Sequence, residues 1–238
     1  MGSEMCIRDS ITTGWEQGGA IVVYQNPGPA KARAAWPSVT VGRVVSPEDA
    51  MFIDLDNDGN LDVVSSCEGS ARTMYIHWAP PKRADYWNPS AWRTEAIPAT
   101  KGKQLWMFAA PARLDCRGTD ELFVSSKGGN ASIGFLVRKD PDLLARDAGG
   151  FEYVKLRSAG WIMSLEPLDM DGDGDLDIIA TSQNDNNLMV YTNSDSGYVL
   201  DISLSGTPDG TETLTISPTS NSIFDVAGNA ASTSQSNS

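Results

Sequence analysis

The chain has 238 residues, a hydrophobic fraction of 40%, 22 glycines, 13 prolines and a formal net charge of −13. This suits a turn-rich globular protein holding one large all-β domain or two smaller ones, and the acidity argues against nucleic acid as a partner. No window approaches 18 uninterrupted apolar residues, so no transmembrane helix is predicted. The charge is uneven: residues 1–157 hold 18 Lys and Arg against 19 Asp and Glu, whereas residues 158–238 hold 12 acids and no base.

Residues 1–14 are expected to be a tail, either disordered or artefactual, because MGSEMCIRDS resembles translated sequencing-adapter read-through. On that expectation the start of the natural chain is missing, and the lack of a visible signal peptide carries no weight. Next, GGAIVVYQNPG (18–28) reads as the return strand of a unit whose loop is absent. Three similar segments follow at 50–80, 111–141 and 165–193. Each runs from a short apolar strand through a polar loop to a β-branched strand (Val63-Val64, Phe123-Val124, Ile178-Ile179), then a Gly/Asn/Ser turn and another apolar strand. The spacing of the last two is that of a hairpin. An extra strand follows the first two units, at TEAIP near Thr94 and YVKLR near Tyr153.

Such a unit cannot bury both faces alone, so repeated copies must stack. The expected fold is all-β: a partial β-propeller of about three and a half antiparallel blades over residues 15–193, cut from a larger ring. Beyond Asn193 the composition turns Ser/Thr-rich, with Ile202, Leu204, Leu214 and Ile216 alternating around Pro208-Asp209-Gly210. Residues 194–238 are therefore read as a separate short β-hairpin segment. The join is a natural boundary cut short or a chimera.

Two of the polar loops are dense in acid. DLDNDGNLD places Asp54, Asp56, Asp58, Asn60 and Asp62 at alternate positions, and DMDGDGDLD repeats this with Asp169, Asp171, Asp173, Asp175 and Asp177. Calcium takes six to eight oxygens at about 2.3–2.6 Å. Aspartates at positions 1, 3 and 5 converge if the chain turns sharply at Gly59 or Gly174, where glycine tolerates positive φ. Position 7 offers its carbonyl and position 9 closes the shell. Without a cation the crowded carboxylates would repel. An EF-hand would need an acid at position 12 and a helix after it, but position 12 is Ser65 or Ala180 within strand-like sequence. The remaining alternative is an acidic surface turn. Two Ca²⁺ sites are therefore expected. The middle loop, DCRGTDEL, keeps Asp115 and Asp120 but gains Arg117, and is expected to bind none.

The repeated D-x-D-x-D-G-x-x-D-[VI]-[VI] followed by a strand resembles the FG-GAP/VCBS repeats of integrin-alpha-like β-propellers, over roughly residues 15–193. The C-terminal FDVAGNAAS stretch resembles the end of a bacterial immunoglobulin-like adhesin repeat. The first resemblance implies a propeller, typically seven-bladed, in a secreted or cell-surface protein, with calcium held by the ten loop residues named above.

The remaining sequence offers little chemistry. His77, the single histidine, lies on a predicted strand and reads as a packing or surface residue rather than a base; no G-x-S-x-G elbow is present. Cys6, Cys67 and Cys116 lack metal-type spacing, leaving a Cys67–Cys116 disulfide or buried thiols. Trp106, Trp161 and Glu166 either face a ligand in a central channel or, for the tryptophans, pack between blades. No catalytic residue is assigned. The favoured function is a calcium-binding module for adhesion or for a glycan or protein ligand of unknown identity. The alternatives are a structural accessory propeller of a larger secreted enzyme and, last, a propeller hydrolase or lyase.

Overall fold

Val63 and Val64 are adjacent and both fully buried. Successive side chains of a strand point to opposite faces, so the sheet carrying them is covered on both sides. The computed structural model, which describes residues 10–14, 19–112, 121–140, 146–170, 176–183, 187–191 and 201–202, shows how. The described chain is all-β and forms four antiparallel sheets, none closed into a barrel.

The first sheet has three strands, β1 (Ser10–Gly14), β2 (Ala20–Tyr24) and β3 (Ser38–Arg43). The second has β4 (Pro47–Ile53), β5 (Asp62–Cys67), β6 (Thr73–Trp78) and β7 (Arg93–Ala96). The third has β8 (Leu105–Ala112), β9 (Glu121–Lys127), β10 (Ser132–Arg138) and β11 (Phe151–Ser158). The fourth has β12 (Ile162–Leu168), β13 (Asp177–Ser182), β14 (Asn187–Tyr191) and β15 (Asp201–Ile202). Within each sheet, neighbours in sequence are neighbours in space, so each is a simple meander.

Three details show that the sheets repeat one design. The first strands lie side by side, β1 against β4, β4 against β8 and β8 against β12. The first-to-second strand pairing slips once in each four-stranded sheet, between Pro47 and Asp49, Trp106 and Ala109, and Ile162 and Ser164. Each slip lies at the start of the first strand, the end away from the polar loop. In the first three sheets the connection into the last strand, β2–β3, β6–β7 or β10–β11, carries short 3-10 turns, so the three-stranded sheet matches the others from its last strand backward.

Apolar layers fill the spaces between sheets. Ile21, Val23, Val39 and Val41 meet Val63 and Cys67 between the first and second. Val64, Met74, Ile76 and Trp78 meet Trp106, Leu122, Val124 and Leu136 between the second and third. Phe123 and Ile133 meet Ile162, Ile178 and Ala180 between the third and fourth. The paired hydrophobics after each loop thus part company: Val63 faces one neighbouring sheet and Val64 the other, as do Phe123 and Val124. Each fully buried side chain of this kind contributes about 1.5–3 kcal/mol.

Two boundaries differ from the sequence reading. Ser10–Gly14, placed in the tail, pair in backbone register with β2, Ile11, Thr12 and Thr13 standing opposite Val23, Val22 and Ile21. Asp201 and Ile202, placed in the C-terminal segment, pair with Met189 and Leu188 and supply the fourth strand of the last sheet. In both cases a strand edge takes up backbone that composition alone assigned elsewhere.

Candidate metal centre

The loop between β4 and β5 folds back on itself through its own carboxylates. Asp54 accepts from the N–H groups of Asp58 (3.1 Å) and Gly59 (2.9 Å). Asp56 Oδ1 accepts from Asp58 N–H at 3.3 Å, and Asp58 Oδ1 from Asn60 N–H at 2.8 Å. The turn needs two left-handed residues, Asn57 at φ 55° and Gly59 at φ 83°. Glycine tolerates that region freely and asparagine better than most.

This fold brings one carboxylate oxygen each from Asp54, Asp56 and Asp58 within 4.8 Å of one another. Two oxygens bound to one Ca²⁺ at about 2.4 Å can be no further apart than about twice that, so the spacing fits a shared ion. The donors are hard oxygens, which suits a hard divalent cation rather than one that prefers nitrogen or sulfur. Asn60 turns its amide toward Pro81 O (3.4 Å), leaving its carbonyl as its possible contribution.

Asp62 occupies a different post. It is 1% exposed, and its two oxygens accept from Leu55 N–H (3.2 Å) and Ala79 N–H (2.7 Å). It therefore staples the start of the loop to the start of β5 and to the end of β6. Burial pushes its carboxyl up to about 7, a rise that Asp56 reinforces and the two N–H donors oppose. Burial also raises Asp56, with Asp58 adding to the rise and Arg146 opposing it.

Two arginines of the third sheet enter the site, and sequence reasoning missed both. Arg146 Nε lies 3.3 Å from Asp56 Oδ2, whose side chain is 5% exposed. Arg138 is buried, donates to Leu55 O and sits over the Phe151 ring at 4.7 Å. More than eighty residues separate each from its contact in the loop, and no motif announces such a pairing. The one available signal was the near-balance of charge before residue 158.

The second loop is described only at its ends; Asp171, Asp173 and Asp175 lie outside the described residues. Asp169 is exposed and Asp177 fully buried. Asp177 Oδ2 accepts from Met170 N–H at 2.8 Å, which reproduces the Asp62–Leu55 staple at the same seven-residue separation. The middle loop, with Asp115, Cys116, Arg117 and Asp120, also lies outside the described residues. In register, however, buried Glu121 opens β9 opposite Ala112, as Asp62 opens β5 opposite Ile53 and Asp177 opens β13 opposite Leu168.

The other candidates are placed as follows. Trp106 has no exposed surface: it packs between the second and third sheets, donates to Thr100 O (3.1 Å) and meets Tyr153 edge-on. Trp161 is half-buried, with Lys127 Nζ 4.7 Å from its ring centre. Glu166 is exposed on β12. His77 is fully buried between Ser65 Oγ (2.9 Å) and Thr94 Oγ1 (2.8 Å), and burial pushes its imidazole down to about 3. Cys67 is a buried free thiol, raised to about 12 by the same effect.

Among the described residues, no helix is long and apolar enough to cross a membrane. Comparison with family models and with curated proteins finds no match.

Proposed function

We propose that the four sheets are consecutive blades of a β-propeller of the FG-GAP/VCBS kind. On this reading the chain is a calcium-binding module of a secreted or cell-surface protein, serving adhesion or the binding of a glycan or protein ligand. The observation that carries the metal reading is the convergence of Asp54, Asp56 and Asp58 on one point. The Asp177 staple supports extending it to Asp169, Asp171, Asp173 and Asp175, because the second loop opens and closes as the first does. Side-by-side first strands and apolar layers between successive sheets support the radial arrangement. The cation would neutralise carboxylates that the loop forces together and so hold the turn between first and second strands.

The test is a thermal melt of the whole chain in calcium against EGTA, with Asp56→Ala and Asp171→Ala beside it. At free calcium 100 times the dissociation constant, one site is expected to add about 2.7 kcal/mol. Extracellular modules bind at about 10⁻⁴ to 10⁻³ M, so millimolar calcium should suffice. Each variant should lose part of the shift. An unchanged wild-type melt overturns the calcium reading.

A further inference from the structure

We propose that Arg146 is a resident counter-charge of the first aspartate loop: it weakens the loop's hold on a cation and ties that hold to the contact between the second and third sheets. This rests on the calcium reading above.

Arg146 is not a loose surface residue that happens to lie near acid. Its side chain is 28% exposed, and its Nε faces Asp56 Oδ2 at 3.3 Å. The same guanidinium donates to Ala79 O and lies 5.6 Å from the centre of the Trp78 ring. Its backbone carbonyl accepts from Arg93 Nη2 at 2.7 Å. Side chain and backbone are thus both fixed to the second sheet, although the residue belongs to the segment joining β10 to β11 of the third. Asp147, next in sequence, accepts from Gly149 N–H in its own turn and lies close enough to Arg138 for their charges to interact.

The charges decide the sign. Asp54, Asp56 and Asp58 bring three negative charges to the point where their oxygens converge, and Arg146 reduces the set to a net two. That balances one divalent cation. Arg138 stands just behind, beside Asp62, and adds positive charge that Asp62, with its raised carboxyl, offsets only in part. A fixed positive charge beside a ligating carboxylate repels an incoming cation, and burial keeps solvent from screening it fully. Removing it should tighten calcium binding by about tenfold or more, the amount rising as the local dielectric falls below that of water.

Removal should also weaken the protein in the absence of calcium. Asp56 would lose its partner and Ala79 O its donor, while Trp78 would lose a packed cation. Tighter calcium binding together with a lower melting temperature in EGTA is therefore the expected signature. A merely structural arginine would lower both affinity and stability when replaced.

The experiment is isothermal titration of the full chain with calcium chloride in an Asp171→Ala background, which isolates the first loop, with melts in EGTA alongside. Arg146→Gln should bind more tightly than its parent and melt lower. Arg146→Lys, which keeps the charge but not the fork that reaches both Asp56 and Ala79 O, should stay closer to the parent in affinity than the glutamine variant. Arg146→Met, which keeps an apolar stem against Trp78, serves the same comparison should the glutamine variant fail to fold. Unchanged or weaker binding by the neutral variants, with the parent still binding, overturns the role of Arg146 and leaves the calcium site standing. If the parent shows no calcium-dependent heat, and Asp56→Asn makes no difference, the metal reading falls and this one with it.

Discussion

A protonated imidazole at position 77 would have to hold its charge in a site with no solvent and two neutral hydroxyl partners, Ser65 and Thr94. The folded protein keeps it neutral down to about pH 3, whereas an unfolded chain protonates it near pH 6.5. Between those values the unfolded state binds one more proton, so stability falls with falling pH by about 1.4 kcal/mol per unit. Buried Asp49 and Asp62 act with the opposite sign. Their raised carboxyls take up protons earlier in the folded state and so favour folding as pH falls. The wild-type curve alone therefore mixes the two effects. The difference between wild type and His77→Gln removes the shared carboxylates. In denaturant titrations that difference should shrink below pH 6.5, by about 2 kcal/mol at pH 5. Parallel curves from pH 7 to 5 would sink this account of His77.

At the scale of the strand, Gly134 on β10 marks a close approach rather than a flexible point. A Cβ there would lie 2.3 Å from Val154 O and 2.7 Å from the Tyr153 ring, where the β10–β11 pairing slips between Ile133 and Gly134. The carbonyl belongs to a paired strand and cannot swing aside. Gly134→Ala is expected to cost about 1–3 kcal/mol by overpacking, read as a lowered denaturation midpoint with an unchanged slope. Gly102→Ala makes a control on backbone strain: its φ is 71° but its Cβ would meet nothing within 4 Å. A loss at Gly134 no larger than at Gly102 would contradict the close-approach argument.

The strands themselves were legible in the sequence because β-branched pairs and turn residues have local signatures. Val63-Val64, Phe123-Val124 and Ile178-Ile179 all fall on second strands, and TEAIP and YVKLR overlap β7 and β11. Gly59 at the turn was also legible, since only its missing Cβ makes φ 83° easy. What escaped was set by pairing. Glu121 matches Asp62 only once the register to β8 is known. The contacts of Arg138 and Arg146 with the first loop depend on two sheets stacking, which no window of sequence displays. The same holds for β15: Ile202 reads as strand from its alternation with Leu204, but its pairing with β14 depends on an edge that no window of sequence displays.

Across the whole molecule, apolar layers join successive sheets, and the second and third are also held at both ends. At the end away from the aspartate loops, Lys127 of the third sheet pairs with Glu68 and with Glu48 (3.5 Å) of the second, and its ammonium lies over Trp161 of the fourth. At the loop end, Arg138 and Arg146 of the third sheet hold the loop of the second. The described contacts therefore run mainly between successive sheets, and such a stack should transmit stability to nearest neighbours first. Calcium bound at Asp54, Asp56 and Asp58 acts at the junction of the second and third sheets. Hydrogen exchange read by mass spectrometry, with and without calcium in an Asp171→Ala background, tests this directly. At free calcium ten times the dissociation constant, β5, β6 and β10 should exchange about tenfold more slowly where exchange proceeds by opening of that junction. Strands β2 and β3, which lie on the far side of the second sheet behind the Val63 layer, should slow less. Equal slowing in all four sheets would mean that the molecule opens as one cooperative unit. Slowing confined to residues 54–62 would mean that the arginines carry nothing across the junction.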